Sequence, residues 1–168
     1  SLDRAAAILR ARGIANALIN IGGNVMALGS KGGQPWRVGI QHPRSSGTLA
    51  SMPLHDGEAV GTSGDYQRYF ELDGKRYCHL LDPRTGRPAE GVQAVTVLVP
   101  PREHAGALSD AASKPLFLAA DGEWQRLAAR LGIQHVLRVD GEGGITATRG
   151  LVERLELAPG VRIDHLLE

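Results

Sequence analysis

Hydrophobic and polar positions along the chain follow two different periods, and these periods predict its first elements. Apolar residues recur at helical spacing over residues 2–12, and Gly13 stands where a helix can end in a left-handed residue. A β-rich run (17–28) is interrupted by Gly22-Gly23, and residues 36–41 alternate after a Gly-Gly-Gln-Pro turn. The pattern predicts a helix followed by two strands.

The middle of the chain is predicted to consist of further strands. Residues 58–63 form a short strand candidate, and two runs (68–72 and 76–81) flank Asp73-Gly74, a dipeptide suited to a tight hairpin turn. Residues 92–100 form the run richest in β-branched residues and end at a Pro-Pro pair, which indicates a central strand.

The rest of the chain is predicted to hold two helices and three short strands. An alanine-rich stretch (about 104–120) and residues 123–132 have helical character, and the strands are expected at residues 134–139, 145–150 and 152–157. No repeat or low-complexity linker interrupts the sequence, so we expect residues 1–168 to form one structural unit. Its predicted class is α+β, with helices packed on an antiparallel β-meander sheet.

Composition and charge exclude several classes of protein for this sequence. The chain has 168 residues, 42% of them hydrophobic, and a net charge of +1 with both signs scattered; this fits a globular domain and gives no indication of nucleic-acid binding. Cys78 is the only cysteine, so neither an intramolecular disulfide nor a thiolate metal cluster can form. Ser1-Leu2-Asp3-Arg4 enters the first helix without a capping residue, and we expect a signal or anchor, if the parent has one, to lie upstream.

Three common site patterns are absent from the sequence. Residues 61–65 (GTSGD) lack the second glycine of a G-x-S-x-G nucleophile elbow, and neither a Rossmann nor a P-loop glycine pattern occurs. The six histidines never fall three to five residues apart, which argues against a helical zinc pair.

Two segments in the first half of the chain could bind an anionic ligand. Residues 19–24 (INIGGN) bring two glycines and a carboxamide to a strand end, where backbone N–H groups can approach a phosphate or a flavin closely, although a β-bulge is the alternative. Residues 61–70 (GTSGDYQRYF) supply hydroxyls, a carboxylate and Arg68, although a capped turn is the alternative.

Two later segments add titratable groups. Residues 79–88 (HLLDPRTGRP) leave a strand into a rigid polar turn, and His79 is either a base or phosphate donor or a structural histidine. Residues 109–117 (SDAASKPLF) place Asp110 and Lys114 one helical turn apart, where they pair with each other or meet a shared ligand. Each segment alone has an ordinary structural explanation.

Together and in this order, the four segments resemble the ApbE family of flavin transferases. The family pattern is INxGG followed by Asn or Asp, then TSGDYxRYF, H-x-(I/L)-DPRTGxP and an Asp-Ala helix segment, and this sequence supplies all four. The resemblance implies an ApbE-like (T-fold-like) architecture whose N-terminal half is missing here. It also implies a place in the bacterial periplasm or at the inner membrane, with membrane association only through a missing N-terminal segment or a membrane-bound acceptor.

The resemblance implies Mg²⁺-dependent transfer of FMN from FAD to a threonine or serine in a motif of an acceptor flavoprotein, with release of AMP. His79 would be the catalytic base or phosphate donor, and Asp110 would be the metal ligand, because a hard cation prefers carboxylate oxygen. The residues implied to hold or shape the site for FAD are Gly22, Gly23, Asn24, Thr62, Ser63, Asp82 and Thr85.

Lys114 departs from the family pattern, which commonly has a threonine four residues after the metal-binding aspartate. A lysine ammonium cannot ligate a metal but could place a fixed positive charge beside the diphosphate, so the sequence leaves the Mg²⁺ requirement open. Two alternative functions also stay open: a flavin- or partner-binding module without activity, and a hydrolase that cuts FAD to FMN and AMP with water.

Overall fold

The computed structural model describes all 168 residues. The helices are α1 (Leu2–Ala11), α2 (Ala105–Leu118), α3 (Trp124–Arg130) and α4 (Arg149–Val152). The strands in the first half are β1 (Ala17–Ile21), β2 (Asn24–Leu28), β3 (Trp36–Gln41), β4 (Thr48–Leu54), β5 (Ala59–Gly64), β6 (Tyr69–Leu72), β7 (Lys75–Cys78) and β8 (Leu81–Asp82). The later strands are β9 (Arg87–Pro88), β10 (Val92–Val99), β11 (His135–Asp140), β12 (Ile145–Thr148), β13 (Glu156–Leu157) and β14 (His165–Leu167).

A seven-stranded sheet forms the middle layer, in the order β1-β2-β5-β10-β11-β12-β14. Its strands pair antiparallel, except that β12 and β14 run parallel. The fourth of the seven strands is β10, and all eight of its residues are buried, as expected for a β-branched run covered on both faces. The predicted central strand and the α+β class are confirmed.

Helices α1, α2 and α3 cover one face of this sheet. Alternate residues of β10, Val95 and Val97, pack in the cluster on this face together with the fully buried Phe117 and Trp124. Burying side chains of this size contributes roughly 1.5–3 kcal/mol each. The buried apolar side chains therefore fix α2 and α3 over the middle of the sheet.

Helix α2 lies very close to strand β5 because position 61 is a glycine. A Cβ at Gly61 would lie 2.3 Å from the carbonyl oxygen of Ser109 in α2. The first turn of α2 is capped from α1, since the Asp3 carboxylate accepts hydrogen bonds from the N–H groups of Gly106 (2.9 Å) and Ala107 (2.8 Å). Two distant segments thus set the position of this helix.

The opposite face of the main sheet is covered by a three-stranded sheet in the order β13-β4-β3. Leu54 of β4 and Leu98 of β10 belong to the apolar cluster between the two sheets. At its border the buried Glu58 carboxylate accepts two hydrogen bonds from the Arg154 guanidinium, at 2.6 and 2.8 Å. This ion pair connects the turn before β5 to the segment after α4.

Strands β6 and β7 form a separate hairpin at the surface. Asp73 (φ 51°) and Gly74 (φ 74°) form its two-residue turn, as the sequence predicted, because a tight hairpin of this kind needs positive φ at both central positions. The rings of Phe70 and Tyr77 stack across the hairpin with centroids 5.1 Å apart. The short pair β8–β9 follows it.

The strand predictions were wrong in four places. Residues 17–28 are two antiparallel strands joined at Gly22-Gly23 instead of one interrupted strand, so the β-bulge alternative for this segment is also wrong. Residues 152–157 contain the end of α4 and only the two-residue β13. Strands β4 and β14 had not been expected.

None of the helices has the length and apolar character needed to cross a membrane.

Candidate functional site

A polar cavity of about 360 Å³ opens at the edge of the main sheet where β2 and β5 meet α2 and the segments around the β6–β7 hairpin. Two of its twelve lining residues are hydrophobic. The lining residues are Gly22, Asn24, Thr62, Ser63, Gly64, Tyr66, Gln67, Arg68, His79, Leu80, Asp110 and Lys114. The cavity therefore draws on all four segments that the sequence singled out.

The β1–β2 turn forms one wall of the cavity. Gly22 (φ 62°) and Gly23 (φ 92°) occupy its two central positions, where positive φ makes glycine the favoured residue. The N–H of Gly23 donates to the Asn20 side chain at 3.1 Å, so this amide is already engaged. Gly22 and Asn24 line the cavity, whereas Gly23 does not.

Hydroxyl groups at the end of β5 are committed to contacts within the protein. Ser63 Oγ lies 2.8 Å from Ser113 Oγ of α2, and Ser113 Oγ donates to the Asp110 carbonyl at 2.9 Å. A hydroxyl has one hydrogen, so Ser63 must be the donor to Ser113 and has no hydrogen left for a phosphate. Thr62 Oγ1 lies 3.0 Å from Thr96 Oγ1 of β10. These side chains chiefly connect β5 to its neighbours.

His79 follows β7 and is exposed at the rim of the cavity. Its Nδ1 lies 3.2 Å from the carbonyl oxygen of Arg68. A carbonyl can only accept a hydrogen bond, so Nδ1 carries the hydrogen, and Nε2 of the neutral ring has a free lone pair. The main-chain N–H of His79 donates to the same carbonyl at 3.1 Å. The imidazole is thus held in the tautomer that a proton acceptor needs.

Asp110 and Lys114 are paired at the side of the cavity formed by α2. The ammonium of Lys114 contacts Asp110 Oδ1 and lies 3.1 Å from the Asp110 carbonyl oxygen. Burial raises the pKa of the Asp110 carboxyl, but hydrogen bonds from Lys114 and the nearby Asn24 amide outweigh it, so the pKa lies below its ordinary value. Asp110 is therefore an anion across the neutral pH range.

The residues of the cavity do not fit a Mg²⁺ ion as they stand. Asp110 is the only carboxylate among the lining residues, and no group of three His, Cys, Asp or Glu side chains in the chain could hold a metal ion. Mg²⁺ requires a near-octahedral set of oxygens, and the two Asp110 oxygens that face Lys114 are already bonded to its ammonium.

Asp82 and Thr85 lie in the turn beyond His79 and do not line the cavity. The Asp82 carboxylate accepts from the backbone N–H (2.9 Å) and the guanidinium of Arg84 (2.8 Å). Thr85 Oγ1 accepts from the N–H of Arg87 at 3.2 Å. In the structure both side chains shape the turn, whereas a direct contact with a ligand stays a prediction.

Two residues of the 61–70 segment make contacts that the sequence did not predict. Asp65 accepts two hydrogen bonds from Arg44, at 2.7 and 2.6 Å, which fixes the backbone between Ser63 and Arg68. Tyr66 packs its ring against Gly64, where a Cβ would lie 2.3 Å from the ring. No local pattern pairs Arg44 with Asp65, since they are far apart in sequence, but the glycine before Asp65 is a signal of close packing.

The fold and the cavity define an α+β domain with a polar pocket whose charged lining residues sum to +1, which suits an anion. The ApbE family profile matches residues 1–137, and the chain belongs to the ApbE family. It is 46% identical to the FAD:protein FMN transferase of Rhodobacter capsulatus over 160 residues, covering 95% of this chain and 30% of that protein. It is 45% identical to the enzyme of that name from Salmonella typhimurium over 105 residues, covering 58% and 29%.

Solved structures agree with this assignment. The ApbE protein of Thermotoga maritima superposes with a TM-score of 0.75 at 36% identity, covering 90% of this chain and 50% of that one. The flavinyl transferase ApbE of Pseudomonas stutzeri gives 0.70 at 36% identity, covering 90% and 47%. The chain therefore spans about half the length of these structures and about 30% of the curated relatives.

Proposed function

We propose that this chain carries the phosphate-handling side of an FMN transferase, which moves FMN from FAD to a threonine or serine hydroxyl of an acceptor flavoprotein. The observation that supports this most strongly is the single cavity in which His79, with a free Nε2, faces the same space as a lysine and an arginine side chain. Relatives that share up to 46% identity bear the name FAD:protein FMN transferase.

The chemistry is a displacement at phosphorus. The acceptor oxygen bonds to the phosphorus of the FMN half, the bond from that phosphorus to the bridging oxygen breaks, and AMP leaves with the bridging oxygen. His79 Nε2 takes the proton of the attacking hydroxyl, as a general base does. Lys114 and Arg68 bring positive charge to the phosphate oxygens, and in such reactions charge stabilisation and positioning supply most of the catalysis.

The proposal gives distinct tasks to the other lining residues. Gly22 has no side chain and leaves the turn open to a close ligand, and the Asn24 amide faces the same space. Thr62 and Ser63 maintain the shape of the strand end because their hydroxyls are bonded to protein partners. The family resemblance implies Mg²⁺, but the residues that line the cavity do not fit this ion, and the reaction proposed for this chain does not use it.

The test is a transfer assay on a protein that contains this chain, incubated with FAD and an acceptor flavoprotein. Covalent flavin fluorescence on a denaturing gel and release of AMP are measured for the wild type, His79→Asn and His104→Asn. Asparagine can still donate to the Arg68 carbonyl but is no base, so His79→Asn is expected to lower the rate ~10²–10⁴-fold with little effect on FAD binding. His104 is exposed and does not line the cavity, and its variant is expected to react normally.

Two results would contradict the proposal. An unchanged transfer rate in His79→Asn would show that His79 is not the general base. Release of FMN and AMP without covalent product would identify the reaction as hydrolysis of FAD by water.

A further inference from the structure

We infer that Lys114 is a cation built into the cavity: its ammonium takes at Asp110 the place that a bound divalent ion would occupy, and it presents positive charge to a diphosphate. The inference rests on the proposed function only in naming the diphosphate of FAD as the ligand. The contacts of the ammonium, the charge of the cavity and the free donor of Lys114 support it.

The contacts of the ammonium match those of a cation bound at a helix. Lys114 Nζ contacts one carboxylate oxygen and the carbonyl oxygen of Asp110, the latter at 3.1 Å. The same carbonyl accepts the Ser113 hydroxyl at 2.9 Å. Carboxylate and backbone carbonyl oxygens are the ligand types of hard metal ions, and here the ammonium contacts one oxygen of each type.

The charge of the cavity shows what Lys114 adds. The charged lining residues are Arg68, Asp110 and Lys114, so two positive charges and one negative charge leave a net +1. Asp65, which lies in the sequence between the lining residues Gly64 and Tyr66, is paired with Arg44. With a neutral residue at position 114 the same set would sum to zero, and a diphosphate would then need a metal ion for attraction.

Lys114 also has a donor to spare. An ammonium has three N–H donors, and the contacts with Asp110 use two of them. The side chain remains 47% exposed, so the third donor is available to a ligand in the cavity. Asp110 lies one helical turn earlier in α2, so the two side chains can pair along the helix. This pairing holds the ammonium in place and leaves its third N–H donor free.

The experiment compares Mg²⁺ and pyrophosphate binding by calorimetry in the wild type, Lys114→Thr and Lys75→Thr. Lys75 is the matched control, since it is 50% exposed and paired with Glu90 at 2.7 Å outside the cavity. Pyrophosphate is titrated in EDTA and Mg²⁺ is titrated alone, both at one ionic strength. We expect Lys114→Thr to bind Mg²⁺ about tenfold more tightly and pyrophosphate about tenfold more weakly, with no change in Lys75→Thr.

Equal Mg²⁺ affinities of the wild type and Lys114→Thr would overturn the inference, and so would an unchanged affinity for pyrophosphate. If Lys114→Thr does not fold, Lys114→Gln serves the same purpose, because glutamine removes the charge and keeps most of the side-chain length. Lys114→Arg retains the charge and is expected to keep the pyrophosphate affinity within about threefold.

A transfer assay with and without EDTA separates this inference from the proposed function. If FMN transfer occurs, it is expected to persist in EDTA for the wild type and to depend on added Mg²⁺ in Lys114→Thr. If no transfer occurs under either condition, the proposed function fails, while the two binding titrations still decide the role of Lys114.

Discussion

The close approach of α2 to β5 at Gly61 gives a sharp test of how the site is built. A Cβ at this position would lie 2.3 Å from the Ser109 carbonyl oxygen and 2.9 Å from the Asp110 amide nitrogen. Ordinary contacts begin at 3.4 Å, so α2 must move by about 1.1 Å in Gly61→Ala, the difference between 3.4 and 2.3 Å. The obstructing atoms are backbone, so no side-chain rotation can relieve the clash.

We expect Gly61→Ala to be destabilised by about 3 kcal/mol, the upper end of the range for overpacked interiors. For a chain of this size the midpoint of thermal unfolding should fall by about 6–12 °C. The movement of α2 also displaces Asp110 and Lys114, and a shift of about 1 Å in a positioning group can reduce catalysis roughly 10²-fold. Thermal unfolding followed by circular dichroism measures the first effect.

Gly47→Ala is the matched control. Gly47 has no positive φ, and the nearest atom to a Cβ there is Ser45 Oγ at 4.0 Å, so this variant should change stability by less than about 0.5 kcal/mol. If Gly61→Ala unfolds at the same temperature as Gly47→Ala, α2 can adjust without cost, and the argument that Gly61 sets its position is wrong.

Two further perturbations test contacts that hold the fold. Burial raises the pKa of Glu58, but hydrogen bonds from Arg154 and the His55 N–H outweigh it, so the pKa lies below its ordinary value of 4.5. This stabilisation is complete above pH 4.5 and is lost as the pH falls through the lower folded-state pKa. Glu58→Gln should therefore lower the free energy of unfolding by about 3 kcal/mol at pH 7 and reduce the loss of stability at acid pH. If the loss at acid pH is unchanged in this variant, groups other than Glu58 cause it. Asp3→Ala removes both capping contacts of α2 and should cost ~0.5–2 kcal/mol in urea unfolding, whereas no change would show that water replaces the carboxylate.

The sequence predicted the elements whose pattern is set by local physics. All eight residues of β10 are buried because the strand is covered on both faces, and only Gln93 and Thr96 among them are polar. Asp73-Gly74 specifies its hairpin through positive φ. The Gly22-Gly23 pair carried the same hairpin signal, but the apolar residues on both sides made one strand the simpler interpretation. Strand β4 was not predicted because Pro53 within the run argues against a strand, although buried Ala50, Met52 and Leu54 alternate with more exposed residues.

The sequence pointed to the segments that line the cavity, although Gly23, Asp82 and Thr85 of the predicted residues do not line it. The motif positions Asn24, His79 and Asp110 do meet in one cavity. What the sequence could not give is the direction of each hydrogen bond: Ser63 donates to α2, and the His79 tautomer depends on the Arg68 carbonyl. Such directions depend on tertiary contacts between segments that no local pattern links.

The two sides of the cavity belong to parts of the molecule with different resistance to opening. Ser63 and Asp110 are anchored to β5 and α2, next to the fully buried β10, whose amide hydrogens should exchange with solvent only on global unfolding. Arg68 and His79 flank the β6–β7 hairpin, in which all four residues of β6 are exposed. Amide hydrogens there should exchange through local opening, so the histidine side of the cavity can separate from the lysine side while the sheet stays intact.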